Sequence, residues 1–142
     1  MKAQIDRNKA LVILDWCTKK FGKSKHQTSF PKMRFCKSSG MSDKNYEDGL
    51  RGWYNDKTNT IIIFGGSNTS MRELCTTMIH EYKHFKLDPD EYVSLHHDLI
   101  KMGKTLDNIH VNHPHEKRCI RAERTWGDTC FNQLRNKLYK HS

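Results

Sequence analysis

From Thr60 to Phe85 the chain passes from a run of β-branched and aromatic residues, Thr60-Ile61-Ile62-Ile63-Phe64, through Gly65-Gly66-Ser67-Asn68, into a segment with helical periodicity. Such a run, broken by glycines, reads as a strand. Ser70 followed three residues later by Glu73 is a capping box, which fixes a helix start close to Met71. The helix is expected to run to about Phe85. Met71, Leu74, Cys75, Met78, Tyr82 and Phe85 gather on one side of it, and that side must be buried. A strand leading through a tight break into an amphipathic helix calls for helix packed on sheet.

The rest of the chain fills in that plan. Residues 5 to 21 carry a dense apolar pattern around Ile5, Leu11, Leu14, Cys17 and Phe21 and stop at Gly22, which predicts an N-terminal helix. Phe30 to Cys36 predicts a strand with Met33 and Phe35 on one face, and Pro31 near its start suits an edge or entry position. Residues 37 to 48 form a connector. Trp53-Tyr54 and Thr60 to Phe64 form a hairpin around the turn-forming residues Asn55-Asp56-Lys57-Thr58-Asn59. Asp88, Pro89 and Glu91 open a further helix that ends near Gly103. Asn112 or His113 caps a last one, with Pro114 in its first turn, extending to Leu138. The expected fold is α+β in one domain, residues 1 to 142. It has an N-terminal helix, a small and mainly antiparallel sheet, the helix from Met71 packed beneath it, and two C-terminal helices.

Composition narrows the setting. The five cysteines, Cys17, Cys36, Cys75, Cys119 and Cys130, are odd in number and contain no CxxC pair. This argues against a disulfide framework and for a reducing, intracellular, cytoplasmic location. The apolar stretch Leu11 to Leu14 is stopped by Asp15 and followed by Lys19-Lys20, unlike a signal peptide, and no run approaches the length of a membrane span. A formal charge of +9 attracts polyanions, which makes nucleic acid a candidate partner. The simpler reading is two solvated basic faces.

The chemistry lies in His80-Glu81-Tyr82-Lys83-His84, the pattern H-E-x-x-H on a helix. At about 100° per residue the two histidines project from one face a single turn apart, so two imidazole nitrogens can reach one Zn2+. Glu81 stands beside them as the general base, taking a proton from a zinc-activated water. On an ordinary amphipathic helix the same histidines would face solvent, so the functional reading requires another element to cover them and to supply a third ligand. The last helix meets this need. Cys119, Ile120, Glu123, Trp126, Cys130, Phe131, Leu134 and Leu138 all fall within about 80° of Glu116 around its axis, so Glu116 opens the inward stripe. A buried carboxylate is costly unless partnered, and a metal is one such partner. Glu123 lies about 10 Å further along the axis, as an alternative ligand or as an acceptor for a ligand histidine. His96, His97, His113 and His115 are further alternatives.

Strand, glycine-rich break, capped helix with H-E-x-x-H, and a later helix opening with His113-Pro114-His115-Glu116 together resemble the minimal zincin metallopeptidases, such as the SprT-like and ImmA-like families. The resemblance spans roughly residues 50 to 135. It implies a zincin-like fold and zinc-dependent hydrolysis of peptide bonds in a protein substrate. In gluzincin-type members a Glu of the later helix completes the site, which the resemblance carries onto Glu116 in a segment like H-P-x-E-x-x-A. Cys119 stands where that pattern has a small Ala, and Ile120-Arg121 stand where the ImmA-like proteins have their Asn. Asp90 occupies the position of a metzincin's third His, which excludes that branch. A later His, His96 or His97, would give the SprT-type site, and with it a protease acting on DNA-bound proteins. Tyr82 and Tyr92 are candidate oxyanion donors. The backbone from Thr60 to Phe64 is a candidate for pairing with an extended substrate. From another class altogether, the rival is a non-catalytic nucleic-acid- or protein-binding module with a structural zinc, which would hold four protein ligands rather than three and a water.

Overall fold

The computed structural model describes residues 4–37, 51–103 and 113–139. Most of the expected connector and Asn112 lie outside them. Helix α1 spans Arg7–Phe21, capped by the Asp6 carboxylate, which accepts from the Lys9 N–H at 3.0 Å. It ends at Gly22, whose φ of 76° suits a residue without Cβ. Strands β1 (Lys32–Cys36), β2 (Gly52–Asn55) and β3 (Thr60–Phe64) form one sheet in the order β1-β3-β2. After a single 3₁₀ turn at Gly65–Ser67 come α2 (Met71–Lys86), α3 (Pro89–Lys101) and α4 (Pro114–Tyr139).

The α+β class holds, with one correction to the sheet. It is mixed, since β2 runs antiparallel to β3 whereas β1 pairs with β3 in parallel, Met33 opposite Ile61 and Phe35 opposite Ile63. Only the β2–β3 pair has a tight hairpin loop to set its direction. The chain between β1 and β3 is long enough for the crossover that a parallel pair needs. A second correction follows. Strand β3 has a neighbour on both sides, so its backbone is already paired and cannot take an added substrate strand. Asn59, at φ 49°, closes the hairpin in the left-handed region that Asn tolerates, and its side chain donates to the carbonyls of Ser29 and Phe30 while accepting from the Tyr54 hydroxyl.

Ile61 and Ile63 alternate into the core, where they meet Ile13 and Cys17 of α1 and Leu74, Met78, Tyr82 and Phe85 of α2. The expected apolar side of α2 is buried throughout. Two devices set the direction of that helix. Ser70 accepts from the Glu73 N–H at 3.1 Å, and the Glu73 carboxylate returns to the Thr69 N–H. Asn68, almost fully buried, donates to the carbonyls of Phe64 and Arg51 and accepts from the Thr77 hydroxyl at 2.7 Å, tying both ends of the hairpin to α2. Asn68→Ala removes three hydrogen bonds, the one from the buried Thr77 hydroxyl among them, and is expected to cost about 2–4 kcal/mol, read as a lowered midpoint in urea with unchanged slope. An unchanged midpoint would mean that the side chain carries no tension between strand and helix.

Helix α4 lies along α2. Gly127 permits the close approach, because a Cβ there would sit 2.7 Å from the Thr76 methyl. Leu134, Leu138, Cys119 and Cys130 are buried in the seam, with Trp126 and Phe131 partly covered. His113 is the capping residue of α4. Its carbonyl accepts from the Lys117 N–H, and its Nδ1 accepts from the His115 N–H at 3.1 Å. None of the described helices is long and apolar enough to cross a membrane.

Candidate metal centre

The face of α2 opposite its apolar side is covered by the first turns of α4, and this brings the expected residues together. His80 Nε2 donates to Glu116 Oε2 at 2.9 Å, and His84 Nε2 reaches Glu116 Oε1 at 2.8 Å. One carboxylate thus bridges two imidazoles one helical turn apart. The side chains of His80, His84 and Glu116 are 17%, 14% and 5% exposed, so the three-way contact is largely shielded from water. On its far side His80 Nδ1 donates to Glu123 Oε2 at 3.0 Å. Glu123 therefore fixes the orientation of the His80 ring and leaves Nε2 directed at Glu116.

The electrostatics follow from this packing. Burial alone would lower the pKa of His80, but its hydrogen bonds to Glu116 and Glu123 and the nearby charge of Glu81 outweigh burial and push it up to about 10. Glu116 is held well below the usual carboxylate range. Burial opposes this, and the hydrogen bonds from His80 and His84 prevail. Glu81 is pushed the other way, chiefly by burial against the backbone of β2. A Cβ on Gly52 would stand 3.3 Å from Glu81 Oε2, so only glycine lets the strand come this near. The charges of Glu116 and Glu123 raise it further, against those of His80 and His84.

The structure adds a donor that sequence reasoning passed over. Cys119 is fully buried, and its sulfur lies with a ring nitrogen of His80 and one of His84 in a group whose ligand atoms are all within 4.8 Å of one another. The signal was present, since Cys119 stands one turn after Glu116 on the inward stripe. The charges of Glu116 and Glu81 add to burial in raising its thiol pKa. Two candidates for a third donor therefore coexist, one carboxylate and one thiol. With two imidazoles they form a donor set of the kind that zinc takes, whereas calcium and magnesium require oxygen.

The remaining candidates are placed elsewhere. His96 and His97 lie on α3 and do not join this group among the described residues. His113 is engaged at both nitrogens, through Nδ1 as the α4 cap and through Nε2 with the Tyr92 carbonyl at 2.8 Å, and its ring stacks on Tyr92 with centroids 4.0 Å apart. His115 faces Glu91. Burial lowers the pKa of both, as suits neutral rings that dock α3 against α4. Tyr82 is not available as an oxyanion donor, because it is fully buried with its hydroxyl donated to the Gly22 carbonyl. Tyr92 stays beside the site, its ring 6.0 Å from that of His84. The basic residues Lys117, Arg121, Arg124 and Arg135 are exposed along α4. No family model matches this chain, and no match is found among curated proteins or among solved structures.

Proposed function

We propose that the chain is a zinc-dependent peptidase in which His80, His84 and Glu116 hold the ion and Glu81 is the general base. The observation that carries this reading is the convergence of both Nε2 atoms on one buried carboxylate, with Glu81 on the same helix turned toward β2. When bound, zinc supplies a Lewis acid that polarises a peptide carbonyl and acidifies water. The protein's own residues do the rest. Glu81 takes the proton of the attacking water and passes it to the departing amine, and burial, which raises its pKa, helps the carboxyl to hold that proton between the two halves of the transfer. Glu123 fixes the orientation of His80. Strand β2, outermost in the described sheet on the side of Glu81, is the backbone along which an extended substrate would pass that carboxylate.

Calorimetric titration of the metal-free protein with zinc tests this reading. His80 holds a proton between two carboxylates, and a metal ion must expel that proton to take its Nε2. The hydrogen bonds to Glu116 and Glu123 push the pKa of His80 up to about 10, so binding at neutral pH is expected to release about one proton from this group. The measured enthalpy should then depend on the ionisation enthalpy of the buffer. One equivalent bound with buffer-dependent heat supports the site. Absence of stoichiometric binding contradicts it.

A further inference from the structure

We propose that Cys119 is a fourth protein donor at this centre, its thiolate competing with water for the position that a peptidase must keep open, so that the chain carries an off-state of its own. The inference rests on the zinc reading above and concerns how the site is regulated. The sulfur is buried on the inward stripe of α4, three residues after Glu116, and within 4.8 Å of a ring nitrogen of His80 and one of His84. In a tetrahedral zinc site with Zn–N of 2.0–2.1 Å and Zn–S of 2.3 Å, nitrogen and sulfur stand about 3.6 Å apart. A change of side-chain rotamer or a small shift of α4 closes that difference. Soft thiolate and imidazole are the pair of donors that zinc prefers, and three protein ligands with water make a working site where four make a closed one.

The exchange balances without any redox partner. On closing, the thiol proton goes to solvent, the sulfur lone pair forms the bond to the ion, and one water molecule leaves. On opening, the water returns and the thiol recovers its proton. A small apolar side chain at this position would leave the site permanently open, and a cysteine makes its opening an equilibrium.

Cobalt(II) loaded into the metal-free chain of residues 1–142 reports both claims in one spectrum. Visible d–d bands of a four-coordinate site report that the ion is bound, and a near-ultraviolet sulfur-to-cobalt band reports the thiolate. The parent is expected to show both. Cys119→Ala and the nearly isosteric Cys119→Ser should keep the visible bands, lose the sulfur band, and hydrolyse peptides faster than the parent. Cys36 is the one partly exposed cysteine among the described residues, and Cys36→Ser should leave the sulfur band in place. Visible bands without a sulfur band in the parent, or a sulfur band that persists in both Cys119 variants, overturns the role of Cys119 and leaves the metal site standing. Failure to bind cobalt at all overturns both.

Discussion

On the proposed zinc reading, His80→Ala and His84→Ala are each expected to lose zinc, with affinity falling by at least about a thousandfold, because each removes a proposed direct ligand where loss of a mere supporting hydrogen bond costs 10–100-fold. The two substitutions should differ in what they leave behind. In His84→Ala, Glu116 keeps its bond to His80 at 2.9 Å and Glu123 still holds the other ring nitrogen, so a compact ion pair persists. In His80→Ala, both Glu116 and Glu123 lose a hydrogen-bonded cation, and three carboxylates counting Glu81 are left around one histidine. With one cation fewer to balance the buried Glu116, which keeps only His84, His80→Ala should also be the less stable variant at neutral pH. Equilibrium dialysis against zinc with a metal-sensitive dye, beside urea denaturation of the metal-free proteins, measures both effects. Retention of a full equivalent of zinc by the double variant would remove the assigned centre altogether.

Much of this arrangement can be read before any coordinates, for local reasons. Helix starts at Ser70 and Asp88 and the hairpin around Asn55 to Asn59 are written in side chains that bond to their own neighbouring backbone, the stop at Gly22 in the lack of a side chain, and all of them appear where expected. The one-turn spacing of His80 and His84, and the inward angle of Glu116, follow from helix geometry alone. Features that depend on distant segments were beyond such reasoning. The parallel direction of β1 has no local determinant. Tyr82 is taken out of the candidate site by a carbonyl sixty residues away in sequence. The sequence places Glu123 equally as ligand or as supporting acceptor, and only the rotation of α4 against α2 sets it on Nδ1 of His80. Cys119 was visible as a departure from a small residue, yet its nearness to two histidines depends on how closely the helices pack at Gly127 and Thr76. Asn68 likewise reads as a turn residue, and its hydrogen bonds with Arg51 and Thr77 emerge only once the hairpin and α2 are docked.

Replacing Glu81 by Gln is the change that separates catalysis from metal binding. The side chain keeps its length and its place against Gly52, but it can no longer accept a proton. Because Glu81 carries a pKa raised by burial, the neutral amide should be tolerated in the fold, and melting temperature should hold or rise slightly. The proposed ligands His80, His84 and Glu116 are untouched, so one equivalent of zinc should remain. Hydrolysis should fall by at least about a hundredfold, the scale on which a general base contributes. Glu116→Gln should behave in the opposite way, weakening zinc binding first and regaining some activity in excess zinc. The most direct measurement is cleavage of a mixed peptide library by zinc-loaded parent and zinc-loaded Glu81→Gln, followed by mass spectrometry with metal content determined on the same samples. Cleavage by the parent and its loss in Glu81→Gln at equal zinc content is the predicted result. Equal behaviour of the two zinc-loaded proteins on every peptide would contradict it and leave a zinc-binding module without peptidase chemistry.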